Sequence, residues 1–137
     1  MTHETVRAET LAYLLCGPAP IWVEVRLSWR PEDPYAVEAV FLTGCEGARW
    51  LLSRDLLAEG LHTEAGIGDV QVMPDDHDWV NTVVLLDTPS GHACFEFATE
   101  ALSEFLEATY DEVPLGAESL FIDLDEEIAL LLEGETR

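Results

Sequence analysis

Two stretches of this chain set side by side residue types that could do chemistry. Ser53-Arg54-Asp55 offers a hydroxyl, a guanidinium and a carboxylate, and Leu56-Leu57-Ala58-Glu59-Gly60-Leu61 completes the segment. Soon afterwards comes Gly66-Ile67-Gly68-Asp69-Val70. Together they pose a choice between a glycine-rich nucleotide loop, an Arg/Asp catalytic constellation and a structural corner. A dinucleotide fingerprint needs a strand before its glycines, a helix after them and a third glycine. Here the order is reversed and the third glycine is missing. A phosphate loop ending in Gly-Lys is excluded outright, because the chain contains no lysine. Gly66 and Gly68 read instead as permissive backbone at a helix-to-strand corner.

Other candidate chemistry is thinner. Asp75-Asp76-His77-Asp78 clusters oxygen and imidazole ligands on a short turn without metal-site spacing, which reads as a solvated hairpin tip. His92 and Cys94 project from one side of a strand, but no second Cys/His pair completes a zinc set. No Ser or Cys sits in a nucleophile context with a His and an orienting carboxylate. These residues assign no catalytic residue, cofactor or metal, and leave an enzyme working through its scattered carboxylates as an unsupported alternative.

The elements that must hold these residues are mostly strands. Ile21, Val23, Val25, Leu27 and Trp29 alternate with Glu24, Arg26, Ser28 and Arg30, the period-two signature of a half-buried strand. Pro31-Glu32-Asp33-Pro34 predicts a turn. Further strands are expected over 5–15, 35–42, 49–52, 70–73, 79–86 and 92–97. Ser53 caps a short helix over 54–59, with Asp55 in its first turn and Gly60 as its stop. Thr99 opens a longer helix with Ala101, Leu102, Phe105 and Leu106 on one face. Its other face carries Glu100, Glu104, Glu107 and Asp111, whose like charges cost a few tenths of a kcal/mol per pair in an isolated helix. That face is either solvated or a contact surface. A last helix starts at Asp123, with Glu126 in capping-box position, and ends before Gly134. Its Leu124, Ile128, Leu131 and Leu132 suit packing on the sheet or a shared oligomer interface.

The class expected is α+β, with antiparallel sheets in two successive βββ(β)α halves followed by a C-terminal helix. Chain length favours one domain over 1–137, long enough to bury about two thirds of its unfolded surface without a disulfide or metal. No apolar run approaches the roughly 18 residues of a membrane span, and the N-terminus does not read as a signal peptide. Three cysteines without a CxxC pattern suit reduced thiols, so a cytoplasmic location is expected.

Charge is the strongest compositional signal. Asp and Glu number 28 against 6 arginines, for a net charge of −22. Five of those arginines fall between Arg7 and Arg54, and no other cation appears until Arg137. Nucleic-acid binding draws on Lys and Arg at phosphates, so this balance opposes it, as it opposes anionic membrane surfaces. Four tryptophans and the arginine-bearing side of 24–30 keep a single-stranded nucleic-acid binder as the alternative.

The corner is best explained by family. The series Asp33-Pro34-Tyr35-Ala36-Val37, Thr43-Gly44, Trp50, the Ser53–Leu61 segment and Gly66-Ile67-Gly68-Asp69-Val70-Gln71-Val72-Met73-Pro74 resembles the SsgA-like proteins of sporulating actinobacteria. Ser53 stands where that pattern has Ala, and Met73 where it has Trp. The resemblance implies a non-enzymatic regulator of sporulation and cell division at the septum, placing the tubulin-like protein FtsZ or controlling septal peptidoglycan. Its implied partners are other SsgA-like proteins, with FtsZ as a further candidate, and its implied assembly is a trimer. It also implies a fold similar to the Whirly type, with two antiparallel sheets related by a pseudo-twofold. Asp33, Pro34, Tyr35, Arg54, Asp55, Glu59, Gly60, Gly68 and Asp69 are the motif positions that become candidate interaction or corner residues. Of these, Arg54 and Asp55 read as structural: Asp55 suits a helix N-terminus, and Arg54 is a cation among many acids.

Overall fold

The computed structural model describes residues 4–15, 21–43, 46–75, 80–89 and 91–118. It is an α+β fold in which seven antiparallel strands and two helices follow one another in the order β1 (Val6–Leu14), β2 (Ile21–Arg30), β3 (Asp33–Thr43), β4 (Glu46–Ser53), α1 (Arg54–Gly60), β5 (Val70–Pro74), β6 (Asn81–Thr88), β7 (Gly91–Ala98), α2 (Thr99–Glu112). The expected helix from Asp123 lies outside the described residues, as does the Asp76-His77-Asp78 part of the acidic turn.

The alternating pattern of β2 is realised from Val23 onward, whereas Ile21, expected on the same buried face, is 46% exposed at the strand's start. Val23, Val25, Leu27 and Trp29 are buried while Trp22, Glu24, Arg26 and Arg30 are exposed. β3 contributes Val37, Ala39 and Phe41 to the same inner face. The turn between them is tighter than the two prolines suggest. Only Pro31 and Glu32 lie outside the strands, and Pro34 sits inside β3, beside a register shift at Trp29/Arg30. Such a bulge accommodates a residue that cannot donate to the ladder. The shift also lets the Trp29 indole N–H donate to the Pro34 carbonyl at 2.9 Å, satisfying a buried donor.

The two halves are meanders, β4-β3-β2-β1 and β7-β6-β5, fused into one sheet by pairing of β1 with β7. That seam is short: Ala12↔Phe97, Tyr13↔Glu96 and Leu14↔Phe95, extended by a bond from Leu15 N–H to the Cys94 carbonyl at 2.8 Å. Behind it lies the core. Phe41 from one half packs on Phe95 and Phe97 from the other, at centroid distances of 4.5 and 6.2 Å. Each such ring contributes on the order of 2 kcal/mol through burial, so apolar packing carries the junction that three residue pairs alone would hold weakly.

Both helices cover the inner face. α2 buries Leu102, Phe105, Leu106 and Thr109 at helical spacing. Its start is tied to β6, where the Thr99 and Thr82 hydroxyls lie 2.7 Å apart and Thr99 N–H donates to the Val80 carbonyl at 2.8 Å. Glu100, Glu104, Glu107 and Asp111 point to solvent.

Candidate functional site

The Ser53–Leu61 corner is built around one buried cation. Ser53 ends β4 in an extended conformation, and its Oγ accepts the Leu56 N–H at 3.2 Å, so α1 begins at Arg54. That start turns the Arg54 side chain inward, where it is fully excluded from solvent. Nη1 donates to the carbonyls of Thr109 at 3.2 Å and Val113 at 2.8 Å at the C-terminal end of α2, where the Thr109 carbonyl also accepts the Val113 N–H at 2.9 Å. Nη2 donates to Glu118 Oε1 at 2.9 Å. The guanidinium also lies 4.1 Å from the Tyr110 ring centroid and 5.4 Å from that of Trp29. Positive charge at a helix C-terminus and over aromatic faces is favourable. Nε alone meets no acceptor among the described residues.

A second layer holds these partners. Glu118 accepts the Gly116 N–H on both carboxylate oxygens, each at 3.1 Å, which fixes the Pro114–Glu118 turn. Gly116 adopts φ +91°, a left-handed conformation suited to a residue without Cβ. The Tyr110 hydroxyl donates to Asp55 Oδ1 at 2.9 Å. Burial, then the bond donated to the Asp55 carboxylate, which favours the protonated phenol, raises the Tyr110 pKa well above the ordinary phenol value. Asp55 therefore serves both the first turn of α1 and the link to α2.

The glycines act by different means. Gly60 is the last helical residue and has no positive φ, so it is not a left-handed cap. A Cβ there would run into the Val72 side chain and lie 2.9 Å from its carbonyl oxygen. Val72 is fully buried and pairs with Ala65 through two backbone bonds of 2.8 and 2.9 Å. Gly60 is thus a close-approach position between α1 and β5. Gly66 and Gly68 do take positive φ, +89° and +91°. Gly66 is confined, with the Val70 carbonyl 2.5 Å from a would-be Cβ, whereas nothing lies within 4 Å at Gly68. No phosphate cradle forms among the described residues: a strand, not a helix, follows these glycines.

The remaining motif positions are spread along the corner and the first hairpin. Pro34 is buried, Asp33 exposed, and Tyr35 44% exposed. Glu59 is exposed, while its carbonyl accepts the His62 and Thr63 N–H groups, both at 3.1 Å. Asp69 is exposed and its carbonyl accepts from Asp87 N–H at 2.8 Å. Leu124, Ile128, Leu131 and Leu132 lie outside the described residues. The His92 imidazole meets Asp87, Nδ1 to Oδ1 at 3.0 Å, while Cys94 is buried. Among the described residues no three His, Cys, Asp or Glu side chains gather as a metal set.

Thr109, Tyr110, Val113 and Glu118 complete the corner, and sequence reading missed all four. Continuing the Leu102-Phe105-Leu106 stripe by one more turn reaches 109, 110 and 113, so the first three were legible. Glu118 had no signal beyond being one carboxylate among 28.

A different feature occupies the sheet face turned away from the helices. Of the arginines, Arg54 is buried and Arg137 lies outside the described residues. The other four, Arg7, Arg26, Arg30 and Arg49, all project from this outer face of β1, β2 and β4. An open groove of about 630 Å³ crosses it, lined by Arg7, Glu9, Arg26, Ser28, Glu38 and Val40. A smaller cavity of about 130 Å³ adjoins it, sharing Ser28 and Glu38 and adding Arg30 and Arg49. Arg49 Nε bonds Glu38 at 2.7 Å, and Arg26 Nε lies 3.7 Å from Glu9.

Comparison with known proteins adds the family context. The family described as "Streptomyces sporulation and cell division protein, SsgA" matches the chain over residues 23–118. The sporulation-specific cell division protein SsgB of Frankia casuarinae is 44% identical over 135 residues, covering 96% of this chain and 94% of its own. The SsgB protein of Saccharopolyspora erythraea is 42% identical over 132 residues, covering 95% and 94%. The crystal structure of an SsgA-like sporulation-specific cell division protein from Thermobifida fusca superposes with a TM-score of 0.85 at 36% identity, over 94% of this chain and 96% of that one. Each match extends well beyond the corner.

Proposed function

The chain belongs to the SsgA family of sporulation and cell division proteins, and from that premise we propose that it regulates sporulation-specific cell division without catalysis, through contacts with other proteins at the septum. The observation that carries this reading is the breadth of the likeness. Near-full-length relatives at 42–44% identity bear the name sporulation-specific cell division protein. The corner chemistry agrees with it. Arg54 and Asp55, the residues that could have formed a reactive pair, spend their polar atoms on Thr109, Val113, Glu118 and Tyr110. A guanidinium fully buried and committed to internal acceptors is not presented to a substrate.

In this reading the protein acts in placing FtsZ or in controlling septal peptidoglycan. It works as a homo-oligomer, a trimer, together with other SsgA-like proteins. No helix of the described residues is long and apolar enough to cross a membrane, so placement at the septum is assigned to protein partners. A net charge of −22 opposes the single-stranded nucleic-acid alternative.

Deleting the gene and counting sporulation septa, with fluorescent FtsZ as the marker, tests the role. Loss or misplacement of FtsZ ladders, restored by the intact gene, is expected. Normal ladders and normal spore chains in the deletion strain would overturn it. Light scattering of the purified chain reads the assembly state, and a monomer would remove the trimer from the proposal.

A further inference from the structure

Carboxylates outnumber cations by 28 to 6, so an arginine on this surface has no shortage of possible partners. Yet Arg7 and Arg30, both exposed, make no ion pair among the described residues, and Arg26 reaches its nearest carboxylate only at 3.7 Å. These three surround a single position. Arg7 stands opposite Ser28 in the β1–β2 register, while Arg26 and Arg30 lie two residues to either side on β2, pointing the same way. Antiparallel pairing puts the backbones of such diagonal neighbours roughly 7–8 Å apart, within reach for their long side chains to converge on one anion.

The same face continues to an apolar end. Tyr13 and Trp22 meet edge to face with centroids 4.9 Å apart, Trp22 is 66% exposed, and Leu11 beside them is 55% exposed. Exposed tryptophan next to aliphatic area is the composition of an interface anchor.

We infer that this outer face of β1–β3 is a docking groove for an acidic peptide segment of a partner protein. Carboxylates of the segment enter among Arg7, Arg26 and Arg30 around Ser28, and an apolar side chain rests against Trp22 and Leu11. From Arg30 to Trp22 along β2 is about 27 Å, the reach of roughly eight to ten extended residues. Arginine suits this role because its planar fork takes a carboxylate through two N–H groups. Nucleic acid fits the face less well: Glu9, Glu24 and Glu38 are interleaved with the arginines and would meet a continuous run of phosphates. A peptide can place its acids where the arginines are. The overall negative charge repels an acidic ligand at long range, but at physiological ionic strength screening limits that repulsion to about 8 Å. Within that distance the local guanidiniums decide.

The inference rests on the reading of this protein as a protein-interaction module, and its test stands apart from that reading. A labelled Asp/Glu-rich peptide of roughly ten residues, carrying one Leu and one Phe, is titrated by fluorescence anisotropy at physiological salt. An Asn/Gln version of the peptide and a thymidine oligonucleotide of similar length serve as competing probes. The acidic peptide is expected to bind, and the amide version and the oligonucleotide to bind far more weakly. The Arg7→Glu/Arg30→Glu double variant is expected to weaken binding by at least about tenfold, as loss of charge-assisted bonds implies. Its melting temperature should stay unchanged, because both side chains are exposed; the milder Arg7→Gln/Arg30→Gln pair replaces it if the first misfolds. No peptide binding, equal binding by the double variant, or preference for the oligonucleotide overturns the groove. A septation defect on gene deletion combined with any of those outcomes leaves the division role standing and removes only the groove.

Discussion

Arg54 and Glu118, 64 residues apart in sequence, form an ion pair of 2.9 Å with both side chains closed to solvent. A pair of this kind is not a source of net stability by its own attraction, because taking two charges out of water costs several kcal/mol each. Its effect is conditional. With both partners present, and Thr109, Val113 and Gly116 supplying further bonds, the charges are accommodated. With one removed, the other is stranded. The pair thereby fixes where the chain goes after α2, since only one path brings Glu118 back to Arg54.

Arg54→Ala is therefore expected to destabilise the fold by about 3–5 kcal/mol, read as a lowered urea midpoint. Arg54→Lys should recover only part of this, because a single ammonium cannot reach three separate acceptors and stack between two rings. Loss of partner binding by Arg54→Ala with an unchanged midpoint would instead make Arg54 a contact residue and reverse its assignment.

Gly60→Ala tests close approach against helix propensity. In an open helix the change would stabilise by roughly 0.5–1 kcal/mol. Here the new methyl meets the side chain of Val72, and overpacking costs about 1–3 kcal/mol. The packing cost is larger, so the midpoint should fall. Adding Val72→Ala should return part of the loss in a double-mutant cycle, whereas simple additivity would show that the two sites do not touch.

The two positive-φ glycines separate backbone strain from crowding. Gly68→Ala, in open space, is expected to cost about 1–2 kcal/mol from the left-handed conformation alone. Gly66→Ala shares that conformation and also presses on the Val70 carbonyl. It should be the more damaging of the two in thermal melts, and the reverse order would contradict the corner geometry.

Alkaline pH provides a fourth test. The folded protein holds the Tyr110 proton to a pH well above the phenol's unfolded value of about 10. The folded state thus binds more protons than the unfolded state once the pH passes that value, and stability falls as pH rises. Below about pH 10 the contribution is fully present. Tyr110→Phe, which also gives up the bond to Asp55, should start less stable near neutrality and lose stability less steeply above that pH. Parallel curves for the two proteins would show that Tyr110 does not titrate differently on unfolding.

Much of this molecule was readable from local pattern. Period-two alternation located β2 and its buried face. Ser53 announced the start of α1, and the Leu102-Phe105-Leu106 stripe set the inner side of α2. These signals are local because strand pleat, helix pitch and capping bonds are satisfied within a few residues. Element ends were less legible: β3 runs through Pro34, where the bulge relieves the missing N–H, and β4 begins at Glu46, earlier than residue types alone suggested.

Sequence by itself determined the α+β class, the two-halved order of strands and helices, the excess of negative charge and the family. Tertiary structure alone decided that the halves fuse along β1 and β7, that Gly60 serves Val72, that Arg54 finds Glu118, and that four arginines share one outer face. The physical reason is that each of these depends on which distant segments the sheet register brings together. An arginine in a sequence is only a charge with a reach of a few ångströms. Whether it is buried as a clasp or displayed in a groove is settled by the strand beside it and the helix above it.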